Sequence, residues 1–193
     1  MIVLVQNDDK VPPGMLVNVL RDAGMSFKVL QPFAGDRLDG LSELAAVIVL
    51  GGSMSVHETQ AFPFLIRAKA FIRDILEREI PYLGICLGGQ LLAEATGGKV
   101  RCQTNLELGC HTVSLAKDVA LDPLFQGLPK HFVTFQWHND SFEPPEGACH
   151  LASSVHCRYQ AFRWGKSAYG IQFHPEVNQQ IVSMWSGMIN RQE

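Results

Sequence analysis

Short segments that are nearly all apolar alternate, in the first half of the chain, with longer segments whose apolar residues recur every three or four positions. The short segments cover residues 2–5, 27–30, 46–50 and 82–85. Runs of this length that are apolar on both faces are typical of buried strands in a parallel sheet. The pattern therefore predicts an α/β fold with three layers, in which a mostly parallel central sheet lies between helices on both faces.

Helices are predicted from apolar residues spaced three and four apart. Such stripes cover residues 15–20 and 64–76, and a final amphipathic helix is predicted over 178–188. Ligands of parallel α/β sheets bind at the carboxyl ends of the strands. Gly51 and Cys86 both follow predicted strands, so we expect them at one edge of the sheet.

Beyond Gly98 the candidate strands are shorter and are separated by turns that contain Gly, Pro and Asp. They lie near residues 113–115, 132–135, 151–153 and 159–162. This spacing predicts a smaller antiparallel β region over or beside the parallel sheet. A later apolar run, residues 170–173, predicts one more buried strand. Since no repeat or linker interrupts the chain, residues 1–193 are predicted to form a single domain.

Composition excludes several classes of function. The net charge is −3 and the basic residues are scattered, so no nucleic-acid-binding surface is expected. No apolar run approaches the length of a membrane span, and the N-terminus lacks the features of a signal peptide. The five cysteines are an odd number, which argues against a disulfide framework and favours a reducing, cytoplasmic location.

The cysteines and histidines of the second half raise the alternative of a zinc site. They are Cys102, Cys110, His111, Cys149, His150, His156 and Cys157. No pair has the Cys-x-x-Cys spacing of common structural zinc sites. We therefore expect no bound metal and interpret these residues as packing or exposed polar side chains.

The strand at residues 82–85 ends at Cys86, and a helical pattern follows it. A cysteine at such a junction lies on a sharp turn beside the free N–H groups of a helix N-terminus, which favour the nucleophilic thiolate. Gly84 and Gly88 flank it, where a tight bend leaves little room for a Cβ. The alternative is a small core cysteine beside two packing glycines, because Gly-x-Cys-x-Gly is a weak pattern alone.

A second stretch, Gly-Ile-Gln-Phe-His-Pro-Glu at residues 170–176, supplies what a nucleophilic cysteine needs. His174 is a base, and Glu176 lies on the same side of an extended chain, where its carboxylate can hold the imidazole in one tautomer. Alone, His-Pro-Glu is usual in surface turns. Together with Cys86 it predicts a catalytic triad.

Backbone N–H groups near the cysteine are candidates for an oxyanion hole. They belong to Gly52, which follows the strand at residues 46–50, and to Leu87, which follows the nucleophile. A Gly-Gly pair by itself is more typical of a plain turn. Gln90 lies one helical turn after Cys86, so its amide faces either the pocket or solvent.

A polar run at residues 136–140 follows an apolar segment. His138, Asn139 and Asp140 are candidates for a pocket that holds a polar substrate, although Asn139 and Asp140 are also common turn formers. His138 is a rival base, but we prefer His174 because of its carboxylate neighbour.

These stretches together resemble the class I glutamine amidotransferase family. Residues 84–90 resemble its nucleophile motif, residues 172–176 its His/Glu motif and residues 51–55 its oxyanion loop, in the same order. The likeness runs from residue 1 to about 180. Three further stretches are most similar to the stand-alone group related to the amidotransferase domain of GMP synthetase: residues 107–109, 137–140 and 157–162.

The resemblance implies a flavodoxin-like class I amidotransferase architecture and a reaction that needs no metal or organic cofactor. It implies that Cys86 attacks the side-chain amide of glutamine, giving a γ-glutamyl thioester and ammonia, and that water then releases glutamate. His174 would move the proton, and Glu176 would orient the His174 imidazole.

The resemblance also implies roles around the triad. The N–H groups of Gly52 and Leu87 would hold the oxyanion. Gln90 and the backbone near Asn139 and Asp140 would contact the amino-acid end of the substrate.

Two positions depart from the family pattern. Ser53 replaces a proline that is common in the oxyanion loop, which is expected to loosen the loop or let it flip when a partner docks. Gly89 replaces a residue that is often larger, which is expected to enlarge the pocket entrance.

Members of the family usually pass ammonia to a fused or separate synthetase. This chain has no recognisable ATP-binding region, so we expect the acceptor to be a separate synthetase subunit. The oligomeric state is open, a homo-oligomer included. Two alternatives remain: a γ-glutamyl hydrolase or peptidase that acts on a larger γ-glutamyl amide, which Gly89 would suit, and a non-catalytic binding or regulatory subunit.

Overall fold

Eleven strands and four α-helices occupy the described part of the computed structural model, residues 1–103, 106–117 and 119–189. The strands are β1 (Ile2–Val5), β2 (Phe27–Leu30), β3 (Ala46–Val49), β4 (Tyr82–Ile85), β5 (Lys99–Arg101), β6 (Glu107–Leu115), β7 (His131–His138), β8 (Ser141–Glu143), β9 (Cys149–Ser153), β10 (Ala161–Trp164) and β11 (Ala168–Ile171). The helices are α1 (Met15–Asp22), α2 (Phe64–Glu77), α3 (Leu87–Ala95) and α4 (Gln179–Ile189). Over these ranges, no helix has the length and apolar character needed to cross a membrane.

Nine of the strands form one sheet, in the order β2-β1-β3-β4-β11-β10-β9-β6-β7. The strands β2, β1, β3, β4 and β11 run parallel to one another. Their carboxyl ends therefore meet at one edge, where Leu50 follows β3, Cys86 follows β4 and Gln172 follows β11. In parallel α/β sheets this is the edge that binds ligands.

The antiparallel strands continue this sheet beside β11, which is one of the two predicted placements. β10 pairs with β11 as a hairpin, and β9, β6 and β7 extend the sheet from there. Only β5 and β8 pair separately, as a two-stranded sheet within the described residues. The last parallel strand ends at Ile171, earlier than predicted, because the hairpin register pairs Ala168 with Trp164 and Ile171 with Ala161.

Side chains of the parallel strands alternate between two apolar cores, one on each face of the sheet. Val3 packs with Leu65 and Ile72 of α2 on one face. Leu4 packs with Leu20 of α1 on the other. A strand with a core on both sides must be apolar at every position. The predicted arrangement of helices on both faces of a mostly parallel sheet is confirmed.

Candidate active site

Cys86 lies at the turn between β4 and α3, in a backbone conformation that L-residues rarely adopt. Its φ is 51° and its ψ is −108°. The turn brings backbones so close that a Cβ on Gly84 would lie 2.3 Å from the carbonyl of Gly88, and a Cβ on Gly88 would lie 2.1 Å from the Val49 oxygen. These contacts require both glycines, and they hold the cysteine where β4 becomes a helix.

His174 lies between Cys86 and Glu176. Its Nδ1 donates to Glu176 Oε1 at 2.7 Å, and its ring lies close enough to Cys86 for that residue to raise its pKa. Only 4% of His174 and 1% of Glu176 are exposed. The His174 backbone N–H donates to the Phe135 carbonyl at 2.9 Å, which ties the segment after β11 to β7. The structure thus brings the three predicted catalytic side chains together.

The protonation of His174 follows from these neighbours. Burial alone lowers the pKa of His174, because a buried imidazolium loses its hydration. The charge of Glu176 and the neighbouring Cys86 outweigh burial and raise this pKa to about 10. His174 is therefore an imidazolium at neutral pH, the form that pairs with a thiolate and donates a proton to a leaving group.

The rival base, His138, is engaged elsewhere. Its Nε2 contacts Glu107 Oε2 at 3.0 Å and its Nδ1 contacts the Asp140 carbonyl at 3.0 Å. Both ring nitrogens are therefore occupied by partners other than Cys86.

The Gly51-Gly52 turn follows β3 and lies against the triad. A Cβ on Gly51 would lie 3.1 Å from His174 Cε1 and 3.5 Å from Cys86 Cβ. A Cβ on Gly52 would lie 2.8 Å from Leu87 Cδ2. The two residues of the predicted oxyanion hole, Gly52 and Leu87, are therefore adjacent beside Cys86.

Ser53 is bound to Asp8, in the segment that follows β1, rather than loose. Its N–H donates to Asp8 Oδ2 at 2.9 Å and its hydroxyl donates to the same oxygen at 2.6 Å. The expectation that serine in place of proline loosens this loop is wrong. Proline has neither donor, whereas serine supplies two.

Gln90 lines the cavity, and its amide is oriented by two acceptors. Its Nε2 donates to the Asp140 carbonyl at 3.2 Å and to Gln172 Oε1 at 3.4 Å. Gln172 Nε2 in turn donates to Cys86 Sγ at 3.6 Å. An amide donor on the sulfur suits a thiolate better than a thiol. Sequence reasoning missed this role of Gln172, although the residue belongs to a motif.

A buried polar network supports the cavity wall behind His138. Glu107 accepts hydrogen bonds from His138, from the Ser154 hydroxyl and from the Gln160 amide. Burial raises the pKa of Glu107, but the hydrogen bonds from His138 and Ser154 outweigh it and lower the pKa overall. Glu107, His138 and Cys157 hold potential metal ligands within 4.8 Å of one another. Both oxygens of Glu107 are already bound to donors, so the cluster fits a hydrogen-bond network better than a metal site.

A cavity of about 620 Å³ opens beside Cys86. Its lining includes the predicted residues Gly52, Gln90, His138, Asn139, Asp140 and His174. Gly89 faces elsewhere, since a Cβ there would lie 2.8 Å from the Ile171 carbonyl oxygen of β11. The expectation that Gly89 enlarges the pocket entrance is wrong. Gly89 therefore no longer supports a γ-glutamyl amide larger than glutamine as the substrate.

Comparison with known proteins agrees with this geometry. A family model described as glutamine amidotransferase class-I matches residues 13–182. The chain is 32% identical over 165 residues to one subunit of the glutamine-hydrolyzing GMP synthase of Saccharolobus solfataricus, covering 84% of this chain and 82% of that protein. It is 43% identical over 136 residues to the glutamine-hydrolyzing GMP synthase of Thermosipho africanus, covering 69% of this chain and 24% of that protein. The aligned part thus spans about a quarter of that longer relative. A crystal structure of a glutamine amidotransferase from Thermotoga maritima matches with a TM-score of 0.91 and 33% identity, covering 99% of this chain and 82% of the other.

Proposed function

The chain belongs to the class I glutamine amidotransferase family, and from this we propose that it hydrolyses the side-chain amide of glutamine to glutamate and ammonia. The observation that carries the proposal is the buried contact of His174 with both Cys86 and Glu176 beside a cavity. A thiol, an imidazole and a carboxylate in this order form the set that cysteine-dependent acyl transfer requires.

In the proposed acylation step, the Cys86 thiolate attacks the amide carbon of glutamine. The carbonyl oxygen becomes an oxyanion, which the N–H groups of Gly52 and Leu87 stabilise. When this intermediate collapses, the C–N bond breaks and His174 gives its proton to the leaving nitrogen. Ammonia departs, and a γ-glutamyl thioester remains on Cys86. Glu176 keeps the imidazole oriented throughout.

Deacylation reverses the proton movements. Neutral His174 takes a proton from water, and the resulting hydroxide attacks the thioester carbon. The same two N–H groups hold the second oxyanion. The C–S bond then breaks, glutamate leaves, and the Cys86 thiolate and His174 imidazolium are restored.

The polar side of the cavity is proposed to bind the amino-acid end of glutamine. Gln90 and the backbone near Asn139 and Asp140 supply the contacts. His138 supports them indirectly, because its ring is bound between Glu107 and the Asp140 carbonyl, the same carbonyl that orients Gln90.

A separate synthetase subunit is the proposed user of the ammonia. The relative from Saccharolobus solfataricus is one subunit of a GMP synthase and matches over most of its length. The longer synthase from Thermosipho africanus matches over only 24% of its length. The match to the Saccharolobus solfataricus subunit supports an arrangement in which this chain supplies ammonia to a second polypeptide.

Glutamate release by two cysteine variants tests the proposal. Cys86→Ala is expected to lower the rate by more than about a thousandfold, because the nucleophile is removed. Cys110→Ala, which alters an exposed cysteine of β6, is the matched control and should keep the parental rate. Diazo-oxo-norleucine, a reactive glutamine analogue, should label Cys86 alone. Equal rates in Cys86→Ala and the parent, or labelling of another cysteine instead, would contradict the proposal.

A further inference from the structure

Three polar residues, Gln6, Asn7 and Asp8, follow β1 at the edge of the sheet that carries the site, and all three are buried. Their exposed fractions are 5%, 0% and 6%. Burial of polar groups costs free energy unless they are hydrogen-bonded, so the partners of these side chains are informative.

Asn7 and Asp8 bind the turn after β3 at two points. Asn7 Nδ2 donates to the Leu50 carbonyl at 2.8 Å. Asp8 Oδ2 accepts both the N–H and the hydroxyl of Ser53, at 2.9 and 2.6 Å. These contacts fix the peptide group between residues 50 and 51 and the peptide group between residues 52 and 53.

The peptide group between residues 51 and 52 lies between these two fixed peptide groups, and it carries the N–H of Gly52. Each peptide group is planar, so its direction depends on rotation about the backbone bonds of the glycines on either side. Glycine rotates about these bonds more freely than any other residue. A Cβ on Gly52 would lie 2.5 Å from Met54 Sδ, so a larger residue here would have to displace that side chain. A hydrogen-bond donor in so flexible a turn stabilises an oxyanion well only when other contacts fix its direction.

We propose that Asp8 is a positioning residue for the oxyanion hole, acting through Ser53 to fix the direction of the Gly52 N–H. The inference rests on the proposed function, since it takes Gly52 as an oxyanion donor. Asp8 is itself held from its other side, because Oδ1 accepts the Lys10 N–H at 2.9 Å.

The charge of Asp8 strengthens this attachment. Burial raises the pKa of Asp8, but hydrogen bonds from Ser53 and Lys10 outweigh it and lower the pKa overall. The side chain is therefore a carboxylate at neutral pH, and hydrogen bonds to a charged acceptor are the stronger kind.

The first test compares Asp8→Ala and Asp8→Asn with the parent in glutamine hydrolysis. Asp8→Ala releases Ser53, so kcat is expected to fall about 10- to 100-fold, while KM changes less than about threefold because the oxyanion forms only after glutamine binds. Asp8→Asn keeps an oxygen for the Ser53 N–H and should recover much of the loss. Asp36→Ala is the matched control. It removes a carboxylate that accepts the Gln31 N–H at 2.8 Å outside the cavity, and it should leave kcat unchanged.

A second readout separates positioning from a general structural role. Iodoacetamide alkylates the Cys86 thiolate by displacing iodide, a reaction that forms no oxyanion. The alkylation rate should therefore stay at the parental value in Asp8→Ala while kcat falls. A parallel fall in both rates would mean that the substitution disturbs the nucleophile itself, and would overturn the proposal.

A double variant tests the route through Ser53. Ser53→Ala removes only the hydroxyl, so its loss of kcat should be smaller than that of Asp8→Ala. The double variant should match Asp8→Ala, because the hydroxyl has no role once its acceptor is gone. Additive losses, or a parental kcat in Asp8→Ala, would overturn the proposal. If Asp8→Ala has no cooperative thermal transition, Asp8→Asn and Ser53→Ala decide the question, since each must lower kcat without slowing alkylation.

Cys86→Ala, measured in the same assay, distinguishes a failure of the proposed function from a failure of the role proposed for Asp8. Parental hydrolysis in Cys86→Ala would refute the proposed function. An inactive Cys86→Ala together with parental kcat in Asp8→Ala would refute only the role of Asp8.

Discussion

The backbone of Cys86 shows what a single residue contributes to this site beyond its thiol. A positive φ in a residue with a Cβ costs about 1–3 kcal/mol. Close contacts on either side, at Gly84 and Gly88, hold the turn in this conformation. The Cys86 thiol is thus kept in place at the expense of folding stability.

Relief of this strain gives a prediction for two inactive variants. Cys86→Gly should be more stable to urea than Cys86→Ala, by about 1 kcal/mol, because glycine adopts positive φ without a steric cost. Urea unfolding with equal m-values is the measurement. At an ordinary helical position glycine is the less stable of the two. If Cys86→Gly were likewise less stable than Cys86→Ala, the backbone strain inferred at residue 86 would be contradicted.

The charge of His174 predicts the pH dependence of catalysis. Burial lowers the pKa of His174, but Glu176 and Cys86 raise it overall to about 10. The alkaline fall of kcat/KM should therefore lie near pH 10 rather than near the ordinary histidine value of about 6.5. Glu176→Gln removes the negative charge, so the fall should move to lower pH by more than about one unit. A kcat/KM profile with an unmoved alkaline fall in Glu176→Gln would refute this assignment.

The raised pKa of His174 also makes the folding stability depend on pH. A pKa above the unfolded value means that the contribution of His174 to stability is complete below about pH 6.5. It is lost progressively as the pH rises toward the folded value of about 10.

Sequence reasoning predicted the three residues that the structure brings together, but not the residues that support them. Cys86, His174 and Glu176 lie in short local motifs whose spacing suggests their chemistry. Asp8 and Gln172 act on partners 45 and 86 positions away. A strand pattern shows which residues are buried, but not which distant side chain each one meets.

At the scale of elements, the contact between α3 and β11 links Cys86 to His174. Gly89 of α3 faces the backbone of Ile171, and β11 leads directly to His174. The lack of a side chain at Gly89 lets the helix approach the strand closely. The spacing between Cys86 and His174 therefore depends on this approach.

Gly89→Ala is expected to destabilise the fold by about 1–3 kcal/mol and to lower kcat, because the added methyl group would lie 2.8 Å from the Ile171 oxygen. Gly187→Ala in α4 is the control. A Cβ there meets nothing within 4 Å, so this variant should gain up to about 1 kcal/mol and keep its kcat. Urea unfolding and glutamate release measure both effects. A Gly89→Ala variant as stable as the parent would show that the contact is not close.

Elements with both faces buried were easier to predict than those with one. β1 and β4 have the bounds that their apolar runs indicate, and nearly all of their residues are buried. β6 and β7 are longer than predicted, since buried and exposed residues are mixed along them and the apolar signal is interrupted. β5 and β8, of three residues each, have too few apolar positions to stand out.

At the scale of the whole molecule, the site joins parts from the full length of the described chain. Asp8 lies near its beginning, Cys86 in the middle, and Trp185 near its end. Trp185 packs edge-on against His174 at 5.3 Å between ring centroids, and its indole N–H donates to the Lys10 carbonyl at 2.6 Å. The layered α/β architecture was predictable because apolar strands need two covered faces. The order of strands was not, because burial alone does not specify which strand lies next to which.

The position of β4 in the sheet has a consequence for synthesis on the ribosome. Gln172, directly after β11, lies 86 positions beyond Cys86, so β4 emerges long before the strand that pairs with its second edge. In a nascent chain this apolar edge is open, and open edges invite pairing with strands of other molecules. Arrival of β11 closes the edge and delivers His174 in the same event, so we expect newly made protein to lose this open edge and gain its triad histidine together.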